Sequence, residues 1–394
     1  MKTCLISSGV IRVPPKYGGA VEQYVYQIAR NLKNLGVDVD IIDAQFFGDE
    51  SQDEKNELKI IRLKTLFQKS GVSSLTKLSF GFSIVRSDIL KNYRIIHVNT
   101  ILPGSFVTRF YKFRPIIYTC HNSDWVSRRR SFFSTAFREV ERNIMRRATA
   151  VIALSRSMRK RIIKFGGINP KKVRLIPNGV DTRFFMPIIE SSEKLKEKMG
   201  LYDHKIILFV GRITYMKGVD VLIRAFSHAI LHAGLNKITL LLVGPQASAF
   251  KSTKSGRYAS WIKMLIEKLG IKDNVRFVGK VSNETLRKLY SIADVFVLPS
   301  RYEGMPLAIL EAMSAGLPVL GSKVSGIVDV IEEGINGYSF NPEDHKKLGE
   351  LIMKILGDEK LKKRLGDNSR ILAERRYDWN IIAKKIKLLY ESLT

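Results

Sequence analysis

The feature that most constrains this chain is an alternation of short apolar runs with amphipathic stretches, which is completed once and then starts again. Up to residue 180 the apolar runs are KTCLISS, VDVDIID, IIHVNT, PIIYTCH and AVIALS. Between them lie helical patterns such as AVEQYVYQIARNLKNLG and SFFSTAFREVERNIMRRA. Strands that alternate with helices predict a mostly parallel, doubly wound sheet. The polar stretch IIESSEKLKEKMGLYDHK then interrupts the pattern, and we interpret it as the interdomain connection.

The second half repeats the pattern with the strands KIILFVGR, ITLLLVGP, VRFVGK, VFVLPS and PVLGS. Its helical patterns are VDVLIRAFSHAIL, ASWIKMLIEKLG, NETLRKLYSIA and LAILEAMSAG. A chain of 394 residues is also too long for one hydrophobic core. We therefore predict an α/β fold of two Rossmann-like, doubly wound domains that face each other across a cleft. Ligands of such sheets bind outside the carboxyl ends of the strands.

The net charge of +29 indicates an anionic partner, which could be nucleic acid, a membrane surface or a phosphorylated substrate. Residues 1–185 hold 33 Lys+Arg against 14 Asp+Glu, and residues 101–185 alone hold 19 against 4. The excess of positive charge is therefore concentrated in the second half of the first domain.

Cysteine usage and the N-terminus indicate a reducing, cytoplasmic compartment. Cys4 and Cys120 lie far apart and offer neither metal nor disulfide spacing. The opening MKTCLISSGV predicts a first strand rather than a leader. No apolar run reaches the roughly 18 residues that a membrane span needs.

The segment FVGRITYMKGVDVL predicts a candidate diphosphate site. A strand ends at Gly211, Arg212 and Lys217 flank a short loop, and a helix begins near Gly218. Two cations beside a helix N-terminus favour an anion, because the helix dipole and free N–H groups point at it. A solvated basic loop is the alternative that this segment leaves open.

The segment EGMPLAILE places two carboxylates eight residues apart in a basic chain. Glu303 precedes a predicted helix that contains Glu311, and eight residues at helical rise span about 12 Å. That is about the distance from a hexose to a ribose across a diphosphate, and carboxylates accept hydrogen bonds from vicinal diols. The amides of Gly304, Met305 and Leu307, around Pro306, would line the start of the helix. A capping Glu303 and a surface Glu311 are the alternative.

Other candidates follow strands of both domains. Gly18 and Gly19 precede the first helix, where a glycine pair lets the backbone approach a ligand. His121 ends the strand PIIYTCH, and a purely structural histidine is its alternative, as it is for His97. The backbone at Gly244 and at Val278 and Gly279 follows two strands and could contact a nucleobase. Neither GxGxxG nor GxxxxGK[ST] occurs.

With these segments in order, the sequence resembles the retaining, nucleotide-sugar-dependent glycosyltransferases of family four, which have the GT-B fold. The most specific part is Glu303-x7-Glu311 followed by AMSAGLPVLGSKVSGIVDVI and NGYSF. Gly18-Gly19, the IPNGVD segment, Gly211-Arg212, Lys217-Gly218 and ADVFVLPS also fall in the family order. The resemblance covers nearly the whole chain.

The resemblance implies three domains: an acceptor-side domain over 1–185, a donor-nucleotide domain over 186–374, and a C-terminal helix over 375–394 that crosses back to the first. It implies transfer of a hexose-type sugar with retention, by front-face attack and without a metal ion. Two departures from the family pattern, Asp329 for Glu and Asn99 for His, touch no position that carries the implied chemistry.

The resemblance also implies residue roles. Arg212 and Lys217 would bind the donor diphosphate and stabilise its leaving charge, and Gly19 would approach the phosphates or the acceptor. Glu303 would hold the donor sugar, with His121 near the transferred bond. Glu311 would hold the ribose of a UDP-, GDP- or ADP-sugar, which is a co-substrate rather than a cofactor.

The segment Trp125–Arg147 combines seven Arg with Trp125 and three Phe, as membrane-surface helices do. We expect peripheral binding to the inner face of the cell membrane and a lipid-linked or glycan acceptor. A helix packed on the core with a solvated basic face is the alternative.

Two other function classes are alternatives to the glycosyltransferase hypothesis. A nucleic-acid-binding protein would use the basic surface, but no known binding module occurs, and we expect no nucleic acid partner. A GT-B-fold sugar-nucleotide epimerase or phosphorylase would share the nucleotide handling but not the set formed by Glu303, Arg212 and Lys217. The sequence does not determine the oligomeric state.

Overall fold

The structure of this protein is a computed structural model that describes residues 2–15, 18–46, 52–55, 58–66, 73–121, 132–233, 237–245 and 254–393. It divides into two compact units. Unit 1 comprises Met1–Gly179 with Trp379–Thr394, and unit 2 comprises Val180–Asp378. The first boundary lies a few residues before the predicted 185, because the N–H of Val180 donates to the carbonyl of Tyr377 (2.8 Å) and so joins unit 2.

Unit 1 is built on an eight-stranded sheet in the order β3-β4-β2-β1-β5-β6-β7-β8. Its strands are β1 (Lys2–Ile6), β2 (Asp38–Ala44), β3 (Gln52–Lys55), β4 (Leu58–Leu63), β5 (Ile95–Val98), β6 (Ile116–Cys120), β7 (Ala150–Ala153) and β8 (Val173–Leu175). All neighbours pair in parallel except β3 and β4. Apart from the exposed Lys2, the central strands β1, β5 and β6 are buried along their length, as strands covered by helices on both faces must be.

The helices of unit 1 follow the strands in the doubly wound manner. They are α1 (Ala20–Asn34), α2 (Ser73–Arg86), α3 (Ile101–Phe110), α4 (Phe132–Arg147), α5 (Arg156–Gly166) and, from the end of the chain, α13 (Trp379–Glu391). Helix α5 shows the local causes of its ends. The hydroxyl of Ser155 accepts from the N–H of Met158, and Gly167 ends the helix in the left-handed region.

Unit 2 has a six-stranded, all-parallel sheet in the order β11-β10-β9-β12-β13-β14. Its strands are β9 (Lys205–Val210), β10 (Ile238–Val243), β11 (Val275–Gly279), β12 (Val295–Leu298), β13 (Val319–Ser322) and β14 (Gly337–Phe340). Its helices are α6 (Ile189–Lys198), α7 (Val219–Ala233), α8 (Lys254–Lys268), α9 (Asn283–Ile292), α10 (Leu307–Ser314), α11 (His345–Leu356) and α12 (Glu359–Leu372). The predicted pair of doubly wound α/β sheets is confirmed.

Helix α13 packs against α1 within unit 1, although unit 2 separates it from the rest of that unit in the chain. Trp379 lies edge-on to Tyr24 of α1, with ring centroids 5.8 Å apart, and the ammonium of Lys387 donates to the carbonyl of Leu35 (2.9 Å). The helix begins at Trp379 and not at 375, because Ala373–Tyr377 form a π-helical turn inside unit 2.

In the described ranges, no helix combines the length and the apolar character that crossing a bilayer requires.

Candidate active site

The loops after β9 and β12 form the centre of the candidate site in unit 2. The two strands are neighbours in the parallel sheet, so both loops leave the same edge. The β9 loop passes through a 3₁₀ turn at Tyr215–Lys217 and reaches α7, and the β12 loop reaches α10 at Leu307. This is the carboxyl edge, where ligands of such sheets bind.

Lys217 and Glu303 meet across these two loops. The ammonium of Lys217 donates to Oε1 of Glu303 in an ion pair. The hydroxyl of Ser300 donates to the same oxygen at 2.7 Å, and Glu303 is only 9% exposed. A carboxylate that is this buried and accepts from two donors is well ordered. It can exchange these donors for hydrogen-bond donors of a ligand.

Two glycines explain how the loops come so close. A Cβ on Gly218 would lie 2.0 Å from the carbonyl oxygen of Pro299, and one on Gly326 would lie 2.1 Å from that of Gly304. Both residues also have positive φ, at 65° and 82°. Gly218 therefore lets the two site loops touch, and Gly326 lets the backbone pack closely against Gly304 in the loop before α10.

The loop after β12 leads into helix α10. Pro306 is its N-cap in an extended conformation, Leu307 is its first residue, and Met305 is buried. Gly304 and Pro306 are buried beside it. The N–H groups of the first helical turn need partners outside the helix, so the turn can offer donors to a ligand oxygen.

Glu311 lies on α10, where Tyr290 of α9 holds it. The hydroxyl of Tyr290 lies 2.9 Å from Oε2 of Glu311 and 3.1 Å from the carbonyl of Ala308. Burial raises the pKa of Glu311 to about 7, against the opposing effect of the Tyr290 hydrogen bond. The carboxyl group is therefore ionised only in part near neutral pH, and a ligand that donates hydrogen bonds to it would favour the ionised form.

Arg212 is exposed just beyond Gly211 and, among the described residues, lies outside the ion pair of Lys217 and Glu303. Gly211 itself is fixed by the sheet, because its N–H donates to the carbonyl of Val243 (2.9 Å). Because its guanidinium is exposed and the strand before it is fixed, Arg212 can reach an anion beside the β9 loop.

The backbone expected to contact a base has an irregular geometry. The register of β10 against β11 shifts so that Leu242 faces Phe277 and Val243 faces Gly279. Val278 is the extra residue of this bulge, which takes it out of the regular ladder. The N–H of Gly244 already donates to the carbonyl of Gly279 (2.8 Å). Gly244 is therefore bonded to Gly279, whereas Val278 lies outside the regular pairing of the two strands.

His121 lies in unit 1, directly after β6. Its Nε2 lies 3.2 Å from Oδ1 of Asn99, and Nδ2 of Asn99 donates to the carbonyl of Ile6 (3.2 Å). Burial lowers the pKa of His121 to about 3, so its imidazole is neutral. With the Nε2 proton directed at Asn99, Nδ1 keeps a lone pair that can accept a hydrogen bond. Sequence reasoning assigned Asn99 no chemistry and missed this contact.

His97 is a structural residue. It is fully buried, its Nδ1 lies 2.7 Å from the hydroxyl of Tyr390, and its Nε2 lies 2.6 Å from that of Thr119. Burial, with a smaller effect of His121, lowers the pKa of His97 to about 3. Both ring nitrogens are used, so no role in binding a ligand remains for this residue.

Gly19 is the N-cap of α1, with φ at 80°. A Cβ at this position would lie 2.7 Å from Oε2 of Glu22, and Oε1 of Glu22 accepts from the hydroxyl of Ser8. The carboxylate of Glu22 therefore lies next to Gly19. Burial raises the pKa of this carboxyl group. Only the glycines themselves were visible in the sequence, since Ser8 and Glu22 belong to no motif that it shows.

The basic segment Trp125–Arg147 is described in part. Residues 125–131 lie outside the described residues, and α4 covers Phe132–Arg147. Among the described residues, no group of three or more His, Cys, Asp or Glu side chains could hold a metal ion.

Comparison with known proteins identifies the family of this chain. The family model described as Glycosyl transferases group 1 matches residues 191–372, and the one described as Glycosyltransferase Family 4 matches residues 17–184. An uncharacterised glycosyltransferase of Methanocaldococcus jannaschii is 32% identical over 244 residues, which span 61% of this chain and 59% of that relative.

The similarity to two solved structures extends over the whole chain. Sucrose-phosphate synthase of Thermosynechococcus elongatus has a TM-score of 0.86 at 25% identity and covers 100% of this chain and 99% of its own. The Anabaena protein HepE in complex with UDP-glucose has a TM-score of 0.81 at 21% identity and covers 100% of both chains. Because the two family models match successive stretches that together take in most of the chain, the protein belongs to the glycosyltransferases of family four and has the GT-B fold.

Proposed function

We propose that this glycosyltransferase moves a hexose-type sugar, with retention of configuration, from a nucleoside-diphosphate sugar to a hydroxyl acceptor. The observation that carries the proposal is the meeting of Lys217 and Glu303 at the carboxyl edge of the unit 2 sheet. A cation suited to phosphate and a carboxylate suited to sugar hydroxyls occupy adjacent positions there, as the two ends of a sugar–phosphate bond require.

In this proposal unit 2 binds the donor and unit 1 binds the acceptor. Lys217 and Arg212 contact the donor diphosphate and stabilise the negative charge that develops as it leaves. Fixed donors at such a position typically contribute about 3–4 kcal/mol each to the stabilisation of a transition state. For the Gly19 loop we keep the predicted role at the phosphates or the acceptor, because a glycine lets the backbone come close to a ligand.

In this proposal the sugar binds at Glu303 and the first turn of α10. Glu303 accepts hydrogen bonds from sugar hydroxyls, and the amides at Gly304, Met305 and Leu307, around Pro306, line the sugar. His121 contributes a neutral imidazole whose Nδ1 accepts a hydrogen bond near the transferred bond. Its low pKa supports this role, because a charged imidazolium would not accept at Nδ1.

The nucleoside binds further along α10 and at the bulge of β11. Glu311 accepts from the ribose diol, and the backbone at Val278, beside Gly244 and Gly279, contacts the base. The HepE complex supports a UDP-sugar as the first donor to test. Thermal stabilisation across a panel of UDP-, GDP- and ADP-sugars identifies the donor, because a ligand selective for the native state raises the melting temperature.

We also propose that the acceptor is lipid-linked or a membrane-associated glycan, and that unit 1 binds an anionic membrane surface. Exposed aromatics beside cations support this. Phe165 is 56% exposed with Arg161 and Lys164 near its ring, and Phe113 is 88% exposed beside Lys112. Each cation near an anionic leaflet contributes about 1 kcal/mol to binding. Flotation with anionic vesicles at moderate salt tests this, and a protein that stays at the bottom of the gradient contradicts it.

The decisive test of the transferase proposal follows both products. Wild-type protein with the donor and a hydroxyl acceptor should release one nucleoside diphosphate for each sugar transferred, and NMR should find the anomeric configuration of the donor in the product. Glu303→Ala should abolish transfer, whereas Glu374→Ala, on the exposed surface of unit 2, should not. Transfer that survives Glu303→Ala contradicts the assignment, and turnover without release of free diphosphate indicates an epimerase.

A further inference from the structure

We propose that Arg301, held by Asp220 and Glu343, is a positioning residue that fixes the diphosphate loop over residues 212–217 against the sugar-binding loop over residues 299–306. The inference rests on the proposed function and adds residues to which the resemblance gave no role. Arg301 is two residues before Glu303, in the loop that follows β12.

The guanidinium of Arg301 is fully occupied by bonds within the protein. NH1 donates to the carbonyl of Tyr215 (2.6 Å) and to Oδ1 of Asp220 (2.8 Å). NH2 donates to Oδ2 of Asp220 (2.7 Å) and to Oε2 of Glu343 (2.7 Å), and Nε donates to the other oxygen of Glu343. All five N–H groups therefore have partners, so Arg301 has none left for a ligand.

The same residue joins the two loops through its backbone and its flat face. The N–H of Arg301 donates to the carbonyl of Met216 (2.9 Å), and its guanidinium carbon lies 3.8 Å from the ring centroid of Tyr215. Tyr215 and Met216 immediately precede Lys217. Arg301 thus fixes the segment that carries Lys217 while standing two residues from Glu303, and it sets the spacing of the two groups.

Asp220, in the first turn of α7, is itself held in place by Tyr258 of α8. The hydroxyl of Tyr258 donates to Oδ1 of Asp220 (2.5 Å) and accepts from the N–H of Asp220 (3.0 Å). Burial acts to raise the pKa of Asp220, but the bonds from Arg301 and Tyr258 outweigh it and hold the pKa below its usual value. Asp220 is therefore an ionised carboxylate in the first turn of α7, neutralised by Arg301.

The backbone conformation of Glu343 is independent evidence that its contact with Arg301 has a role. Its φ of 72° is in the left-handed region, which is unfavourable for any residue with a Cβ. Glycine would relieve that strain, and strained residues persist where the surrounding structure uses them. What the glutamate provides and glycine cannot is the carboxylate that binds Arg301.

Charge explains why the arrangement matters for an anionic donor. Arg301 binds two carboxylates, those of Asp220 and Glu343, and its positive charge offsets part of their negative charge. Without Arg301, both negative charges would act on the place where a diphosphate should bind. Lysine at this position keeps the charge but loses the planar fork that contacts both acids and the Tyr215 carbonyl. Arg301→Lys and Arg301→Met therefore separate the geometry from the charge.

The test measures the donor KM, kcat and the dissociation constant of the nucleoside diphosphate at a temperature well below unfolding. We expect Arg301→Lys to raise the donor KM and that dissociation constant about tenfold, and Arg301→Met to raise both further. Glu343→Gln should give a smaller effect in the same direction. The matched control is Lys362→Met, which breaks another partly buried ion pair of unit 2, with Asp294 (2.6 Å), away from both loops. It should lower the melting temperature and leave KM unchanged.

A double-mutant cycle tests whether Arg301 acts through Lys217. In a Lys217→Ala background, Arg301→Lys should change diphosphate affinity less than about twofold, because the group that it positions is gone. Full additivity of the two effects overturns the proposal, as does an Arg301→Lys variant that loses stability like Lys362→Met but keeps the wild-type KM. If the wild-type protein binds no nucleotide sugar, the proposed function fails. If it binds one and Arg301→Lys binds it equally well, only this inference fails.

Discussion

Lys217 and Glu303 neutralise each other, since the ammonium of one lies on Oε1 of the other. The proposed chemistry assigns these two partners to different parts of the donor. In that proposal a complete nucleotide sugar would replace both halves of the pair, with phosphate for Lys217 and hydroxyls for Glu303. A nucleoside diphosphate replaces only one half and leaves a carboxylate with 9% exposure beside an anion.

This pairing predicts opposite effects of one substitution on the donor and on the product. Glu303→Gln should lower kcat/KM at least about a hundredfold, because a key contact of the sugar is lost. It should also tighten the free nucleoside diphosphate about three- to tenfold, because the competing carboxylate is gone. Calorimetry with the diphosphate and steady-state rates measure the two. Asp367→Asn, which makes the same charge change at a side chain that is 66% exposed, is the control. Unchanged or weaker diphosphate binding by Glu303→Gln would show that the ion pair does not compete with the product.

Glu311 predicts a pH dependence of donor binding. Burial raises its pKa to about 7, and ribose hydroxyls donate only to the ionised form with full strength. The donor KM should therefore fall as the pH rises through 7, by about tenfold between pH 6 and pH 8. Glu311→Gln should weaken binding and flatten this profile, whereas Glu303→Gln should keep the slope. A slope that survives Glu311→Gln would assign it to another group.

The same carboxyl group has an effect on stability of defined sign. Its pKa in the folded protein is higher than the ordinary value of 4.5, so the native state holds the proton more tightly than the unfolded chain does. Stability from this group is therefore present below pH 4.5 and is lost as the pH rises to about 7. Comparison of Glu311→Gln with the wild type by denaturant titration across this range should show the difference between them change in that direction.

Gly218 and Gly270 form a matched pair for testing the contact between the site loops. Both have positive φ, at 65° and 68°, so alanine at either one pays the same backbone strain of about 1–2 kcal/mol. Only at Gly218 would the Cβ also meet a carbonyl oxygen, that of Pro299 at 2.0 Å, whereas Gly270 has open space. Gly270→Ala should lose stability and keep the donor KM. Gly218→Ala should also raise the KM at least about tenfold, and equal KM values would mean that the close approach has no role in the site.

Tyr390→Phe should loosen unit 1 around a buried histidine. The change leaves Nδ1 of His97 without its partner in a fully buried position, which should cost about 1–3 kcal/mol. Amide hydrogen exchange should become faster in the peptides of β5 and β6, while the peptides of unit 2 serve as an internal reference. Tyr202→Phe, at a tyrosine that is 68% exposed, is the control. Unchanged exchange in β5 and β6 would show that the hydroxyl of Tyr390 contributes little.

The sequence predicted the parts of this protein that depend on local pattern. Apolar runs such as KIILFV and VFVL have one stable location, a buried parallel strand, and they became β9 and β12. The family resemblance is confirmed, because the two family models match residues 17–184 and 191–372. The polar strand β3, QDEK, was missed because it pairs antiparallel with β4 and has no apolar alternation to reveal it.

Contacts between distant side chains could not be predicted in the same way. Asn99 binds His121 and Tyr290 binds Glu311, yet each pair joins different elements, and no spacing in the sequence signals it. Arg301 is hidden for a related reason, since its three partners come from the β9 loop, from α7 and from a position two residues before α11. Such pairs exist only once the sheet order has placed the loops side by side.

The return of α13 to unit 1 has a consequence for how the protein is made. Unit 2 occupies one continuous stretch, Val180–Asp378, so it can complete its contacts before the ribosome has synthesised Trp379. Unit 1 begins first and finishes last, because Tyr390 reaches His97 across 293 positions of the chain. During translation the upstream sheet must therefore wait, with Tyr24 and His97 uncovered, for the last helix to emerge.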